Sequence, residues 1–337
     1  MPPCQTVCLL LVIAVVGCIL SFREVMMGSE PQISVIIPCY NAERTIGETL
    51  SSAAMQTLAA IEIIVIDDGS SDRSAEIVAD FARADQRVVL HRQVNCGVSV
   101  ARNRGIAQAR APIIAFLDSD DLWLPDALAT HLDHFQENPE LGVSFARVRF
   151  MDSNGNDTLA SSTARVQGLA PQHLLYENPT STTSTWVVRR AVFSAVGGFD
   201  ETLSHAEDQE FLFRMMVLSS WKLAGLDRVL VRYRASVDGL SSDFSHMERG
   251  WRCLMDCARC YAPDLVAAHE ARATAMMMRY LARRALRLQT GFGQAVHYMG
   301  RCFHADWRLA FAEPRRTFLT LAGVCVYPMI KALTLIK

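Results

Sequence analysis

The sequence predicts an α/β fold: a mostly parallel central sheet flanked by helices, followed by a C-terminal helical extension. Three observations predict it. Short apolar runs rich in Ile and Val alternate with helical stretches from Pro31 onward, and continuous apolar strands in βαβα order are the mark of a parallel sheet covered on both faces. Carboxylates gather where two of those runs end, at Asp67–Asp68 and Asp118–Asp121. From about Met247 the chain reads as wholly helical. With 337 residues, half of them apolar, the chain can bury a full core. Residues 1–30 form a hydrophobic N-terminal segment, 31–242 the α/β domain, and 243–337 the helical extension with an apolar tail.

Taken in order, "ISVIIP" (33–38) reads as a buried strand and "AERTIGETLSSAAMQ" as a helix capped by Asn41. "IEIIVID" (61–67) is the next strand, followed by the turn "DGSSD" and a helix to Ala84. "RVVLH" is a third strand, "RQVNCG" a polar loop, Ser99 to Ala109 a helix, and "PIIAFL" (112–117) a fourth strand. A helix runs from beyond Asp126 to about Asn138, and "LGVSFARVRFMD" is an alternating strand. "SNGND" makes a turn, and Thr158 to Gln167 reads as a loop or lid. "TTSTWVVRRAVF" reads as a strand, "AVGGFDETLSHAEDQEFLFRMM" as a glycine turn leading into a helix, and "RVLVRYR" as the last strand.

The formal net charge is −2, so no global field points to nucleic acid. The distribution is uneven: Arg249 to Arg316 holds twelve arginines against five acidic residues. That basic surface would face anionic lipid or an acidic substrate. Within it, Arg272, Arg279, Arg283 and Arg287 fall on one side of a helix, with Met278, Leu281 and Ala285 opposite. A bundle helix with a solvated arginine face and a membrane-contacting helix both fit. Ten scattered cysteines read as reduced thiols in a cytosolic setting. Cys253, Cys257 and Cys260 have the spacing of an iron–sulfur site, but the same offsets line one helix face beside Leu254 and Tyr261.

At the N-terminus, sixteen largely apolar residues (Val7–Phe22) fall short of the roughly 20 that span a bilayer. A short anchor and an over-extended start, with translation beginning at Met26 or Met27, are the two readings. The apolar C-terminal tail, interrupted by Pro328 and Lys331, reads as interfacial.

Both carboxylate groups sit at strand ends, on the rim where sheets of this class bind ligands. Crowded like charges are costly unless a cation or water relieves them. Mg²⁺ or Mn²⁺, held by one or two carboxylates with sites left for phosphate oxygens, suits such a rim. Capping of the helix near Pro125 would explain one Asp and not three.

The ordered motifs "VIIPCYN", "VIDDGSSD", "NCGVSVARNRG", "FLDSDD", "GGFDE", "EDQEF" and "YRASVDGLS" resemble those of the family 2 glycosyltransferases of the GT-A fold, over roughly Gln32 to Ser241. The resemblance implies a nucleotide-sugar donor, a divalent metal (Mg²⁺ or Mn²⁺) and an inverting single displacement. Pro38 and Tyr40 match the uridine-side loop; Tyr40 serves either the base or packing. Asp67 and Asp68 match positions that bind base and ribose through charge-assisted hydrogen bonds, with capping of the following helix as the alternative for Asp68. Arg102 and Asn103 match the donor-side pair, and an ion pair with a rim carboxylate is the other reading of Arg102. Asp118 and Asp120 match the DxD, the first near the ribose, the second on the metal, which neutralises the departing diphosphate; Asp121 is a third member. Glu207 and Asp208 match the acceptor-side acidic pair, in which Asp208 is the general base; stabilising a helix N-terminus is its other reading. "GGFDE" is the acceptor-side turn, and Arg234 reaches the diphosphate.

The Gln-x-x-Arg-Trp signature of processive relatives is missing from the sequence, which favours single-sugar transfer. The expected activity is transfer from a nucleotide sugar, UDP-linked for preference, to a glycan or lipid-linked acceptor in cell-surface polysaccharide synthesis. The expected location is the cytoplasm, at the inner face of the plasma membrane if the terminal segments touch it. The rival is a catalytically silent nucleotide-sugar-binding or scaffold protein. A nicotinamide-dependent dehydrogenase would need a glycine-rich turn after the first strand, and "VIIPCYNAE" has none.

Overall fold

The structure, a computed structural model, describes residues 30–234, 244–287 and 292–334. The apolar N-terminal segment and the "ASVDGLS" part of the last motif lie outside the described residues.

The first strands are β1 (Ile33–Cys39), β2 (Ile61–Asp67), β3 (Val88–Arg92) and β4 (Ile113–Phe116), paired in parallel in the order β3-β2-β1-β4. Every residue of β1 and β2 is buried, as continuous apolar runs require when both faces are covered. Successive side chains point to opposite faces. Ile33, Val35 and Ile37 therefore join one core with residues of α1 (Ile46–Ala54) and α2 (Ser74–Ala84), while Ile36, Ile64 and Ile66 join a second with α3 (Val98–Gln108).

The sheet continues from β4 through later strands. They are the two-residue β5 (Leu122–Trp123), β6 (Leu141–Met151), β7 (Asp157–Ser161), β8 (Val187–Arg189) and the long β9 (Lys222–Arg234). Their order is β4-β8-β6-β9-β5, with β7 on β6. β6 and β9 pair in parallel, whereas β8 is antiparallel to both β4 and β6. Strand order reverses around β1, and the carboxyl ends of β1, β2 and β4 open on one crevice. Helix α4 (Ala127–Glu137) completes the first core; α5 (Pro171–Tyr176), α6 (Arg190–Val196) and α7 (Glu207–Leu218) complete the second. Aromatic stacking fixes α7 on the sheet: Phe199 stacks on Phe211 at 5.2 Å and on Trp186 at 6.1 Å, pairs of a kind that contribute about 0.5–1.5 kcal/mol each beyond their burial.

The C-terminal helices are α8 (Phe244–Tyr261), α9 (Pro263–Arg287), α10 (Phe292–Asp306), α11 (Leu309–Ala312) and α12 (Pro314–Thr334). They share a core of Met278, Leu281, Ala285 and Met299, but Met255, Ala258, Val266 and Ala273 join the second core under the sheet. Among the described residues no helix is long and apolar enough to cross a membrane.

Four expectations are corrected. Asn41 does not cap α1. It takes a left-handed φ of 48°, its Oδ1 accepts from the Ser71 amide at 2.9 Å, and the helix starts at Ile46; asparagine tolerates that conformation because its short side chain bonds locally. "TTSTWVVRRAVF" is not one strand but a 3₁₀ turn (Thr183–Thr185), three strand residues and a helix. The loop expected over 158–167 is partly β7, an edge strand whose residues Asp157 to Ala160 are exposed. The arginine face of α9 is not wholly solvated: Arg279 is buried, donating to Thr317 Oγ1 at 2.9 Å and Glu313 Oε2 at 2.5 Å.

Candidate functional site

The donor-side rim starts at the end of β2. Asp67 is fully buried, accepting from the Ser70 amide at 3.1 Å and from Arg92 Nε at 3.0 Å. Asp68 accepts from Gln93 Nε2 (2.8 Å) and from the amides of Cys96 (2.9 Å) and Gly97 (2.8 Å). It therefore fastens the loop entering α3 and does not cap α2; the turn before α2 is held by Asp72, which accepts from the Ser74 amide at 3.0 Å. Gly69 is required between them, since its φ is +78° and an added Cβ would lie 2.8 Å from the Asn95 backbone nitrogen. Pro38 is buried at the end of β1, whereas the Tyr40 ring is 52% exposed, so it is not used as core packing.

After β4 the three carboxylates part company. Asp118 accepts from Arg102 Nη2 (2.9 Å) and Thr182 Oγ1 (2.9 Å). Asp121 is buried, accepting from Ser184 Oγ at 2.6 Å and the Arg234 amide at 2.9 Å. Burial, followed by Asp120 and Asp118, holds its pKa well above the usual carboxylate range. Neither Asp118 nor Asp121 caps α4. Asp120 differs: among the described residues no side chain donates to its carboxylate. Burial and then the Asp118 charge push its pKa up to about 6.

That free, crowded carboxylate fits a divalent cation. Among the described residues no three His, Cys, Asp or Glu side chains converge as a protein cage, and an ion held by one carboxylate, waters and substrate phosphates needs none. The donor set is all oxygen, which suits Mg²⁺ or Mn²⁺.

Arg102 joins the two halves of the site. Its Nη2 bonds Asp118 and Thr183 Oγ1 (2.8 Å), its Nη1 bonds Glu207 Oε1 at 2.9 Å, and it lies over the Phe199 ring at 5.5 Å. Burial opposes its charge, but Asp118 and Glu207 hold the guanidinium above the ordinary arginine pKa. Asn103, one residue on, faces the "GGFDE" turn: its Nδ2 donates to Phe199 O and Glu201 Oε1, both at 2.9 Å.

On the other side, Glu207 and Asp208 open α7 behind Ala206, which is left-handed at φ 62°. Such a conformation costs a non-glycine residue about 1–3 kcal/mol and persists only where the surroundings enforce it. Asp208 accepts from Asn178 Nδ2 at 2.6 Å and from the Gln209 amide at 2.7 Å. Burial, and then Glu207, raise its pKa to about 6. Arg234 ends β9 behind the acidic loop, donating to Asp120 O at 2.9 Å and pairing with Glu48 at 3.0 Å.

Sequence reasoning missed Asn178, Glu48 and the hydroxyls of Thr182, Thr183 and Ser184. The run "TSTTST" (180–185) carried the signal: six small hydroxyl residues beside an apolar "WVV" need acidic partners when buried.

The reversed strand order, the carboxylate rim and the facing acidic helix define a GT-A-type α/β protein. Residues 34–197, just under half of the chain, match the family model described as Glycosyl transferase family 2. It is 42% identical over 113 residues to the glycosyltransferase EpsJ of Bacillus subtilis, covering 34% of this chain and only 33% of EpsJ. It is 29% identical over 230 residues to the UDP-Glc:alpha-D-GlcNAc-diphosphoundecaprenol beta-1,3-glucosyltransferase WfgD of Escherichia coli, covering 66% of this chain and 85% of WfgD. The fold resembles that of S. aureus TarS (residues 1–349), crystallised with UDP-GlcNAc, with a TM-score of 0.56 at 20% identity over 88% of this chain and 92% of that one.

Proposed function

We propose that the chain is an inverting glycosyltransferase that moves one sugar from a UDP-linked donor to a hydroxyl of a lipid-linked glycan in cell-surface polysaccharide synthesis. The observation that carries this reading is the pairing of a carboxylate free for a cation, Asp120, with a carboxylate of raised pKa on the facing helix, Asp208, through the Asp118–Arg102–Glu207 bridge. The similarity to WfgD supports both the nucleotide and the diphosphate-linked acceptor.

In this reading Tyr40 and Asp68 bind the uridine, while the buried Pro38 and Asp67, the latter held by Ser70 and Arg92, fix the strand ends that carry them. Asp68 Oδ2 has one amide donor, which leaves acceptor capacity for a ribose hydroxyl. Asp118 stands by the ribose, Arg102 and Asn103 keep the donor and acceptor sides in register, and Asp120 holds Mg²⁺ or Mn²⁺. The bound cation supplies charge neutralisation to the departing nucleoside diphosphate. Arg234 reaches the diphosphate by exchanging Glu48, whose side chain is 63% exposed. Asp208 takes the proton from the acceptor hydroxyl as that oxygen attacks the anomeric carbon. Glu207 orients Arg102 and keeps the pKa of Asp208 high.

The GT-A domain is taken to end at residue 242, and the helical extension meets the bilayer's cytoplasmic face. Trp307 (60% exposed), Phe311 (75%), Phe318 (59%) and Leu319 (65%) on α11, α12 and the turns beside them support that peripheral contact.

The test is a panel of nucleotide sugars assayed for a rise in melting temperature with Mn²⁺, followed by transfer to a diphosphate-linked lipid acceptor. Asp120→Asn should lose the metal-dependent rise. Asp208→Asn should keep it and lose transfer, which separates the enzyme from the silent scaffold. Absence of any donor response in the wild type refutes the reading.

A further inference from the structure

Helix α9 turns Arg272, Arg279, Arg283 and Arg287 to one side, and α12 brings Arg316 against them. Arg316 pairs with Glu177 at 3.2 Å and Glu313 at 3.8 Å, Arg279 with Glu313 at 2.5 Å, and Arg272 stands 3.9 Å from Glu313. Among the described residues, two carboxylates thus serve the whole group. Arg283 is left over: it is partly buried, and no described residue gives it a hydrogen bond or ion pair. Burial and then Arg287, Arg316 and Arg279 pull its pKa below the ordinary arginine value, against a smaller opposing pull from the Glu177 charge. The Nε of Arg272 is also buried without a partner. Packing like charges this way weakens a fold unless an anion comes between them.

The position of the cluster is informative. Glu177, which holds Arg316, adjoins Asn178, which holds Asp208 at 2.6 Å; consecutive Cα atoms lie only about 3.8 Å apart. The arginines therefore border the acceptor side, and no described hydrogen bond or ion pair ties them to the donor-side Asp68 or Asp120. Phe318 and Leu319 stand exposed just beyond Arg316, where an apolar tail could lie.

We propose that Arg283, flanked by Arg279, Arg287 and Arg316, binds the diphosphate of the acceptor, so that the sugar it carries presents its hydroxyl to Asp208. The proposal rests on the glycosyltransferase reading above. Guanidinium forks match phosphate oxygens in bidentate fashion, and the phosphate of an anionic membrane lipid offers related chemistry.

The experiment titrates the full chain with inorganic pyrophosphate in EDTA and reads melting temperature, against sulfate at equal ionic strength. At a hundredfold excess over Kd the wild type should gain about 3–6 °C. Arg283→Gln should melt higher than wild type without ligand, because it removes an unpaired charge, and its pyrophosphate Kd should rise at least tenfold, with Arg283→Lys in between. Arg287→Gln, at an exposed position, carries the same test if Arg283→Gln does not fold. An equal pyrophosphate response in wild type and both Gln variants overturns the proposal, as does an equal response to sulfate. Sedimentation with vesicles of phosphatidylglycerol and phosphatidylcholine that depends on Arg283, without a pyrophosphate response, also overturns it and gives the cluster to the lipid surface. A parallel titration with UDP and Mn²⁺ separates the two readings: its failure in the wild type brings down the donor site, while the pyrophosphate result still judges the arginines.

Discussion

Arg102 Nη1 and Glu207 Oε1 stand 2.9 Å apart although 105 residues separate them in the chain, and this contact ties the first turn of α7 to α3. Arg102 also neutralises Asp118, and its side chain is only 6% exposed. Removing one member of a buried charge network leaves the others uncompensated, at about 3–5 kcal/mol. Arg102→Ala should therefore lower unfolding stability by roughly that amount in a urea titration. The triple variant Arg102→Met, Asp118→Asn, Glu207→Gln should recover most of it. A single variant within about 0.5 kcal/mol of wild type would show that solvent already compensates the carboxylates.

Asp208 must be ionised to accept a proton, and its pKa is raised to about 6. Transfer should fall as pH drops through about 6, the limb belonging to the Glu207–Asp208 pair as a unit. Asp208→Asn should reduce kcat by about 10²–10⁴-fold with donor KM little changed. A flat rate profile from pH 5 to 8 in the wild type would exclude Asp208 as the base.

Asn178 donates to Asp208 and so favours its charged form. In Asn178→Ala the acid limb should move to higher pH, because the carboxylate loses a stabilising donor. A limb that stays put or moves down would mean that the amide only packs.

His131 and His134 both place Nδ1 2.7 Å from Ser144 Oγ. One hydroxyl donates to one ring and accepts from the other, so neither ring needs a charge. Burial lowers the His131 pKa to about 3, and burial also lowers that of His134. Since both folded-state pKa values lie below the unfolded one, the stability these rings contribute is complete above about pH 6.5 and is lost as pH falls from there, for His131 down to about 3. For His131 the slope is about 1.4 kcal/mol per pH unit. His131→Gln should flatten that acid-side decline in chemical denaturation between pH 6.5 and 4; an unchanged slope would put the acid sensitivity elsewhere.

Gly69→Ala should destabilise by about 1–3 kcal/mol, since it combines a positive φ with a backbone clash at Asn95. It should also weaken donor binding, because Asp68 and the 93–97 loop move with it. Denaturation and donor titration on one preparation test both effects; a stable variant with normal donor binding would show the loop can yield.

Much of the sheet was legible in the sequence because β1, β2 and β4 are continuous apolar runs, the last two closed by carboxylates. Local pattern carries that information. What escaped depends on long-range pairing. β5 is two residues long and exists through pairing with β9, and the 180–185 hydroxyls turn inward only because Asp118 and Asp121 lie 61 to 66 residues away in the chain. Asn41 misled for a related reason: its side chain serves a turn thirty residues on. The acidic positions stood out by motif order, whereas the amide on Asp208 and the Glu48 partner of Arg234 have no local signature.

Met255 and Ala258 of α8, and Val266 and Ala273 of α9, are packed under the sheet beside Trp186 and Phe211. A chain stopped at residue 242 would leave that aromatic floor wet. Protein engineers seeking a minimal soluble fragment should meet aggregation there, and the helical tail is better regarded as a supporting wall of the fold than as an annexe.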